Sequence, residues 1–506
     1  MHATIFSATP IGVAAQLVSV QVDLSLGLMN FYIVGLPDTA IKESRQRITT
    51  ALHNAGIKLP DRKITVNLAP ADLKKEGTLF DLPIALGILQ AAQQLTIPAP
   101  IIEQTLFLGE LALDGSISPV KGVLAIAKDA KKLGRKSLVV PAANAAEAAL
   151  VHDIQVIAVG HIIELIEHLL GHKPIAPTPA TNPTPMRPLS DDFAQVQGQQ
   201  QAKRALQVAA AGRHNILFIG SPGSGKTMLA TRMPSIMPPM SFEEIIATST
   251  VYSITGKPGL GSHIHTVRPF RAPHHTISQA GLIGGGTVPQ PGEVSLAHNG
   301  ILFLDEVTEF KRSTLEVLRQ PLESKEVHIA RVHHTVTFPA NFLLIAALNP
   351  CPCGYYGDPH RTCRCKSQEI QQYLAKISGP LLDRIDIQVH VASLRYEELI
   401  TEQRATSSAQ LYTDVEIACA TQQKRFGSQH FNAQMTSDEV SRYCHMTPAA
   451  QAALEAAFKR LSLSMRGYHK IIKVARTIAD LAQSDLIDQR HIIEAIGYRS
   501  LDSFVR

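Results

Sequence analysis

Apolar residues recur at every second position over Val18, Val20, Val22 and Leu24, the period of a strand with one buried face. The period then lengthens. Ile41, Ile48, Leu52 and Ala55 share one side of a helix, and Gly56 supplies its stop. Ile64, Val66 and Leu68 return to strand period, and the apolar run 82–92 has the length of a core helix. Asp114 and Gly115 separate segments 106–113 and 116–120, a hairpin signal. Helical patterns follow at 123–133, where Gly134 caps the end, and at 143–150 and 162–170, with strands at 138–140 and 154–158. These elements predict one mixed α/β domain over residues 1–171.

Residues 172–190 break the pattern. Six prolines in nineteen positions hold the chain extended, as suits a linker between domains. Beyond it, apolar runs at 215–219, 300–304, 342–348 and 385–391 alternate with helical segments, predicting a parallel sheet with crossover helices over residues 191–395. Residues 396–506 read as helical, with Ile471, Ala475, Ile478 and Ala482 on one apolar stripe. No repeat of solenoid type interrupts this α/β organisation.

At 506 residues the chain has room for about three domains, and 45% hydrophobic with 18% charged residues is globular composition. Forty-eight Lys and Arg against forty-three Asp and Glu leave +5, too little to mark a nucleic-acid binder by bulk charge. No apolar run approaches the ~18–20 residues of a membrane span, and the N-terminus lacks the basic segment of a secretion signal. Six cysteines do not make a disulfide scaffold. A soluble cytoplasmic protein without membrane contact is expected.

The chemistry begins at Gly220, Ser221, Pro222, Gly223, Ser224, Gly225, Lys226 and Thr227, a full G-x-x-x-x-G-K-[ST] match between an apolar strand and a helix start. Such a loop closes backbone N–H groups around phosphate oxygens. Lys226 would neutralise the β- and γ-phosphates of ATP and the Thr227 hydroxyl would ligate Mg²⁺. The buried strand at 301–304 runs into Asp305 and Glu306. Asp305 would hold the Mg²⁺ shell and Glu306 would polarise the attacking water, making hydrolysis the expected outcome.

Three further phrases are RPFRAPHH at 268–275, continuing through Thr276, Ile277 and Ser278, ALNPCPCG at 347–354, and SGPLLDRID at 378–386. With the phosphate loop they make the chain resemble the magnesium-chelatase-like AAA+ ATPases, in the branch that includes competence proteins, over essentially its whole length. The resemblance implies an AAA+ P-loop sheet with a helical lid. It implies that Asn349 is the sensor 1 residue positioning the lytic water, and that Arg384 is the arginine finger reaching a neighbouring subunit's γ-phosphate. Arg466 in SLSMRGYH matches the sensor 2 arginine of the lid, with Arg476 in KVARTIADL the weaker candidate. A cation is needed there because charge spreads onto the γ-oxygens in the transition state. A finger acting across a subunit boundary requires a ring, and the family expectation is a homo-hexamer. Gln197, Gly198 and Gln199 lie where AAA+ proteins cradle adenine.

Residues 253–299 are rich in Gly and Pro and carry His263, His265, His274, His275 and His298. They fit a long surface loop, and by resemblance they occupy an insertion that points toward a central pore. Residues 325–338 alternate around Val327, Ile329 and Val332 and turn near His333 and His334, a hairpin that is the other pore element of this clade. Arg331, His333 and His334 at its tip, with His274 and His275, offer phosphate contacts to DNA without base readout. An ordinary hairpin with solvated histidines is the alternative.

Cys351, Cys353, Cys363 and Cys365 form two Cys-x-Cys pairs nine residues apart. Four thiolates suit a structural Zn²⁺, although one residue within each pair is tighter than usual. Reduced free thiols are the alternative.

GELALDGSISPV at 109–120, with the LVVP strand at 138–141, resembles the proteolytic domain of Lon, a ribosomal S5 domain 2-like α/β fold. Residues 71–86 resemble the segment bearing its nucleophile. Here the serine position reads Leu79 and the lysine position about Leu124, so acyl chemistry has no starting point. Ser116, Ser118 and Lys121 leave room for a displaced Ser–Lys pair. The expected reading is a fold without its chemistry, used for DNA contact or ring assembly.

Together these resemblances imply a hexameric ATP-dependent DNA motor, a helicase or branch-migration factor on single-stranded or branched DNA. Its setting would be DNA integration in natural transformation and homologous recombination, beside recombination proteins. A metal-insertion motor of chelatase type and an AAA+ remodelling chaperone are the alternatives.

Overall fold

The computed structural model describes residues 1–28, 30–188, 191–256, 264–286, 289–330, 335–393, 406–427, 430–461 and 464–499. They divide into two units that do not follow chain order. One comprises Met1–Thr184, Phe242–His265 and Ala330–Phe338; the other comprises Pro185–Ser241, Thr266–Ile329 and Pro339–Arg506.

In the first unit, strands His2–Ile11 and Ala14–Ser25 pair antiparallel from His2 opposite Asp23 to Ile11 opposite Ala14. Lys63–Ala69 and Phe31–Val34 complete a four-stranded sheet, with His2–Ile11 at its edge. The edge position tolerates Pro10, which has no N–H to offer a further strand. Val18, Val20, Val22 and Leu24 all face the core, as their alternation requires. The apolar run at 82–92 forms helix Asp81–Ala91, in which every side chain except Gln90 is buried. It lies so close to the sheet that a Cβ on Gly87 would stand 2.6 Å from Val22 Cγ2. A parallel three-stranded sheet of Thr105–Phe107, Ser137–Pro141 and Gln155–Val159 follows. The expected hairpin is present with shorter strands, Glu110–Leu111 against Ile117–Ser118, and Gly115 at φ +90°.

Two segments from farther along the chain complete this unit. Helix Phe242–Thr255 meets helix Val123–Ala130, with Gly122 N donating to Ser253 O at 3.0 Å and Leu124 N to Ser253 Oγ at 3.5 Å. At the turn after the first strand, Gly12 has φ +59°, and a Cβ there would stand 2.5 Å from Val336 Cγ1. The chain leaves through residues 174–188, which carry neither helix nor strand, as their prolines dictate.

The second unit is built on a five-stranded parallel sheet in the order Phe270–Arg271, Ile301–Leu304, Leu343–Leu348, Ile216–Ile219, Ile387–His390. Its three central strands are buried along their whole lengths and are apolar throughout, as a sheet covered on both faces needs. The first strand in sequence, Ile216–Ile219, pairs with the fourth and fifth. Its carboxyl end therefore opens at a reversal of strand order, where α/β sheets bind ligands. The helical region includes Ser408–Phe426, Pro448–Leu461, Met465–Leu481 and Gln489–Gly497, and the stripe of Ile471, Ala475 and Ile478 is buried. Among the described residues no helix is long and apolar enough to cross a membrane.

Candidate nucleotide site and thiol cluster

Strand Ile216–Ile219 delivers the chain to Gly220, and helix Lys226–Thr231 takes it up again. Between them the glycines serve two purposes. A Cβ on Gly220 would stand 2.2 Å from Val391 O, so this position lies against backbone. Gly223 and Gly225 hold φ of +78° and +92°, and a Cβ on either would meet nothing within 4 Å. The loop is thus left-handed where it faces open space, and the buried Ser224 hydroxyl has no partner there.

Lys226 Nζ donates to Gly220 O at 2.7 Å, Ser221 O at 3.0 Å and Asn349 Oδ1 at 3.2 Å. Burial pushes its pKa down from the ordinary lysine value, and the Asp305 and Glu306 carboxylates push it back up. Thr227 Oγ1 donates to Asp305 Oδ2 at 2.7 Å. Glu306 adopts the left-handed conformation, φ +48° and ψ +50°, with its N–H on Asp305 Oδ1 at 3.0 Å. A β-type continuation of the strand is thereby broken at Glu306, whose side chain stays exposed beside the loop. Hydrogen bonds therefore pair Lys226 with Asn349 and Thr227 with Asp305. An open glycine cradle, an orphaned hydroxyl, a buried ammonium and a hydroxyl–carboxylate pair fit a polyphosphate with a divalent cation.

Gln199, in the stretch associated with adenine, has φ +54° and sends its amide to Ser224 O at 3.3 Å and Ala392 O at 2.7 Å. Gln197 lines a cavity beside the phosphate loop. Arg384 and Arg466 do not line that cavity. They line another, of about 590 Å³, together with Arg213, Lys325, Lys470 and Lys473. Arg384 reaches Glu323 and Pro380 O, while its buried Nε has no partner. Arg466 is exposed. Burial pushes Lys325, Lys470 and Lys473 below the ordinary lysine value, so this cavity concentrates incompletely solvated cations. Arg476 is excluded as a nucleotide contact. It is 1% exposed, and its guanidinium binds Asp480 Oδ1, Asp485 O and Ser484 O within its own helical region.

The sulfurs of Cys351, Cys353, Cys363 and Cys365 lie within 4.8 Å of one another. Cys351 and Cys353 are 3.3 Å apart, and each is 3.6 Å from Cys363. The backbone N–H groups of Arg364 and Tyr355 pull the Cys353 thiol down to about 6. Cys365 has a backbone hydrogen bond favouring its thiolate, yet burial and the neighbouring sulfurs push it up to about 12. The Cys353 thiolate forms readily, while Cys363 and Cys365 resist ionisation, a crowding that a divalent cation relieves.

His274 is exposed, its ring 4.0 Å from that of His275 and its Nδ1 2.9 Å from Thr276 Oγ1. Arg331, His333 and His334, and also His263, lie outside the described residues; strands Glu326–Ala330 and Thr335–Pro339 flank the first three. In the N-terminal unit Leu79 and Leu124 are buried, and Ser116 Oγ donates to Asp114 Oδ1 at 2.7 Å. Sequence reading missed Asp358, which accepts from Ser221 Oγ at 2.5 Å and Ser393 Oγ at 2.9 Å. Those hydroxyls and the N–H of His360 hold its carboxyl well below the usual range. Its only signal in sequence is its place between the two cysteine pairs.

Three family models match: "Magnesium chelatase, subunit ChlI" on residues 192–399, "Subunit ChlI of Mg-chelatase" on 20–144, and "Magnesium chelatase, subunit ChlI C-terminal" on 405–499. Competence protein ComM of Haemophilus influenzae is 44% identical over 506 residues, covering 99% of this chain and 97% of ComM. The chain belongs to the magnesium-chelatase-like AAA+ family. Another relative, protein YifB of Escherichia coli, is 39% identical over 97% of this chain and 96% of its own length. Lon protease 2 of Bacillus subtilis is 29% identical over 140 residues, 27% of this chain and 24% of the protease. Membership of the AAA+ family implies ATP and Mg²⁺ as cofactors and ATP hydrolysis as the chemistry.

Proposed function

We propose that this chain is a ring-forming ATPase that moves DNA, a helicase or branch-migration factor serving DNA integration in natural transformation and homologous recombination. The observation that carries the reading is two hydrogen-bonded pairs, Lys226 with Asn349 and Thr227 with Asp305, at the end of the sheet's first strand. It occurs in a chain 44% identical to a competence protein.

When bound, Mg²⁺–ATP supplies a phosphoanhydride bond and a cation that offsets phosphate charge. The chain does the rest. Backbone N–H groups of the glycine loop and the Lys226 ammonium hold the phosphates, and Thr227 with Asp305 holds the cation. Glu306 takes the proton of the attacking water, which Asn349 orients. Arg384 and Arg466, sharing one cationic cavity, serve the phosphates of the neighbouring protomer in a homo-hexameric ring. Glu306→Gln keeps the loop, the ammonium and the cation ligands. It is expected to bind ATP with unchanged affinity and to lose turnover about 10²-fold or more, measured by nucleotide binding beside phosphate release. Unchanged turnover would remove Glu306 from the chemistry.

Arg331, His333, His334, His274 and His275 contact DNA phosphates. Single-stranded or forked DNA should then bind with a log–log salt slope of about −0.7 per phosphate contact on a single strand. Affinity measured by fluorescence anisotropy at rising salt checks this, and a flat profile contradicts it. The four thiolates hold one structural Zn²⁺. The chelatase descriptions of the family models favour a second reading, a metal-insertion motor. ATPase stimulation by a porphyrin-carrying partner, with none by DNA, would select it.

A further inference from the structure

Between Cys351 and Lys366 the chain forms neither helix nor strand, so no backbone ladder fixes its path. Side chains pin it instead, at two ends. At one end stand the four clustered sulfurs. At the other, Asp358 accepts the hydroxyls of Ser221 in the phosphate loop and of Ser393 just past the last strand of the sheet. The same carboxylate accepts the backbone N–H groups of His360, at 2.8 Å, and Arg361, at 3.0 Å. Gly354 closes the approach: a Cβ there would stand 2.6 Å from Pro222 Cδ. The segment therefore rests directly on the phosphate loop.

Beside both lies a cavity of about 500 Å³. Val196, Gln197 and Met228 lie along it, and Tyr355, His360 and Arg361 of the cysteine-bounded segment line it as well. Arg361 Nη1 donates to Tyr355 Oη at 2.6 Å, and its guanidinium carbon stands 5.0 Å from the centre of the tyrosine ring. A flat aromatic face joined to a planar cation is the chemistry that stacks on a nucleobase. The phosphate loop at the same cavity sets which end of the ligand points where: phosphates over Gly223 and Gly225, nucleoside toward Tyr355 and Arg361.

We propose that residues 351–365 are a wall of the nucleotide site, in which Tyr355 and Arg361 hold the nucleoside of a purine nucleoside triphosphate. Zn²⁺ on the four thiolates sets that wall in place. This rests on the reading of residues 220–227 as a phosphate site and extends it to the base and to metal-dependent nucleotide affinity.

The test uses the full chain, with equilibrium binding of fluorescent N-methylanthraniloyl-ATP and competition by inorganic tripolyphosphate. Tyr355→Ala and Arg361→Ala are each expected to weaken the fluorescent nucleotide about tenfold, while tripolyphosphate competes as it does on the wild type. Tyr355→Phe, which keeps the ring, is expected to bind within about twofold of wild type. Metal analysis should find about one zinc per chain. Stripping it with a thiol-reactive mercurial and chelator should weaken nucleotide binding about tenfold, and added zinc should restore it. A wild type that binds the nucleotide and loses nothing in either alanine variant would overturn the wall and leave the phosphate site standing. Stripped protein with full affinity would overturn the metal's part. A wild type that binds neither nucleotide nor tripolyphosphate would overturn the phosphate-site reading and this proposal with it.

Discussion

Lys226→Ala is expected to lower ATP turnover by about three orders of magnitude while leaving the fold in place. Lys226 is 8% exposed, and three oxygens fix the position of its ammonium. A charge so held needs no rearrangement to meet phosphate, and the low local polarity that pushes its pKa down also strengthens its pull on an anion. Alanine removes that pull at the atoms where negative charge grows. The fold is expected to tolerate the change because a desolvated cation is lost rather than stranded. Phosphate release beside a thermal melt checks both halves. Turnover near wild type with an unchanged melt would leave the glycine loop without a catalytic role.

Arg384→Ala is expected to cost a comparable factor, about 10³, through a different route. Arg384 lines the cationic cavity rather than the one beside the phosphate loop, and its Nε lacks any partner. Its ion pair with Glu323, a carboxylate 56% exposed, contributes little to stability, so the variant should fold. The decisive form of the experiment mixes two inactive proteins. In an equal mixture of Lys226→Ala and Arg384→Ala chains, about a quarter of the subunit boundaries pair an intact lysine with an intact arginine. Partial recovery of ATPase activity is expected. An arginine serving its own subunit's nucleotide would give none.

Local chemistry was legible in the sequence because the phosphate loop is one continuous segment whose glycines and lysine cannot be exchanged. The central strands were legible too: residues 301–304 and 343–348 are apolar without interruption, as burial on both faces demands. Other features were hidden for stated reasons. Strand His2–Ile11 escaped notice because Ser7, Ala8, Thr9 and Pro10 blur its alternation, and only pairing with Ala14–Ser25 reveals it. The two-residue strand Phe270–Arg271 lies between prolines and exists through its parallel neighbour Ile301–Leu304. Helix Phe242–Thr255 buries Ile245, Thr248, Ser249, Val251 and Tyr252 around much of its circumference, so it shows no single apolar stripe. Ser221 and Asp358 are separated by 137 positions. No periodicity reports a bond of that span. Arg466 stands out in sequence by its SLSMRGYH motif, but its grouping with Arg384 in one cavity depends on how the helical region packs.

The interleaving of the N-terminal unit has a practical consequence for anyone dissecting this chain. Cutting at the prolines separates residues 1–184 from helix Phe242–Thr255 and residues 330–338, which stay behind on the other piece. Gly12 would lose Val336, and the backbone of Gly122 and Leu124 would lose Ser253, baring apolar surface that the intact polypeptide covers. Truncations that respect this architecture must carry those two inserts, or recombinant fragments will clump before they can be assayed.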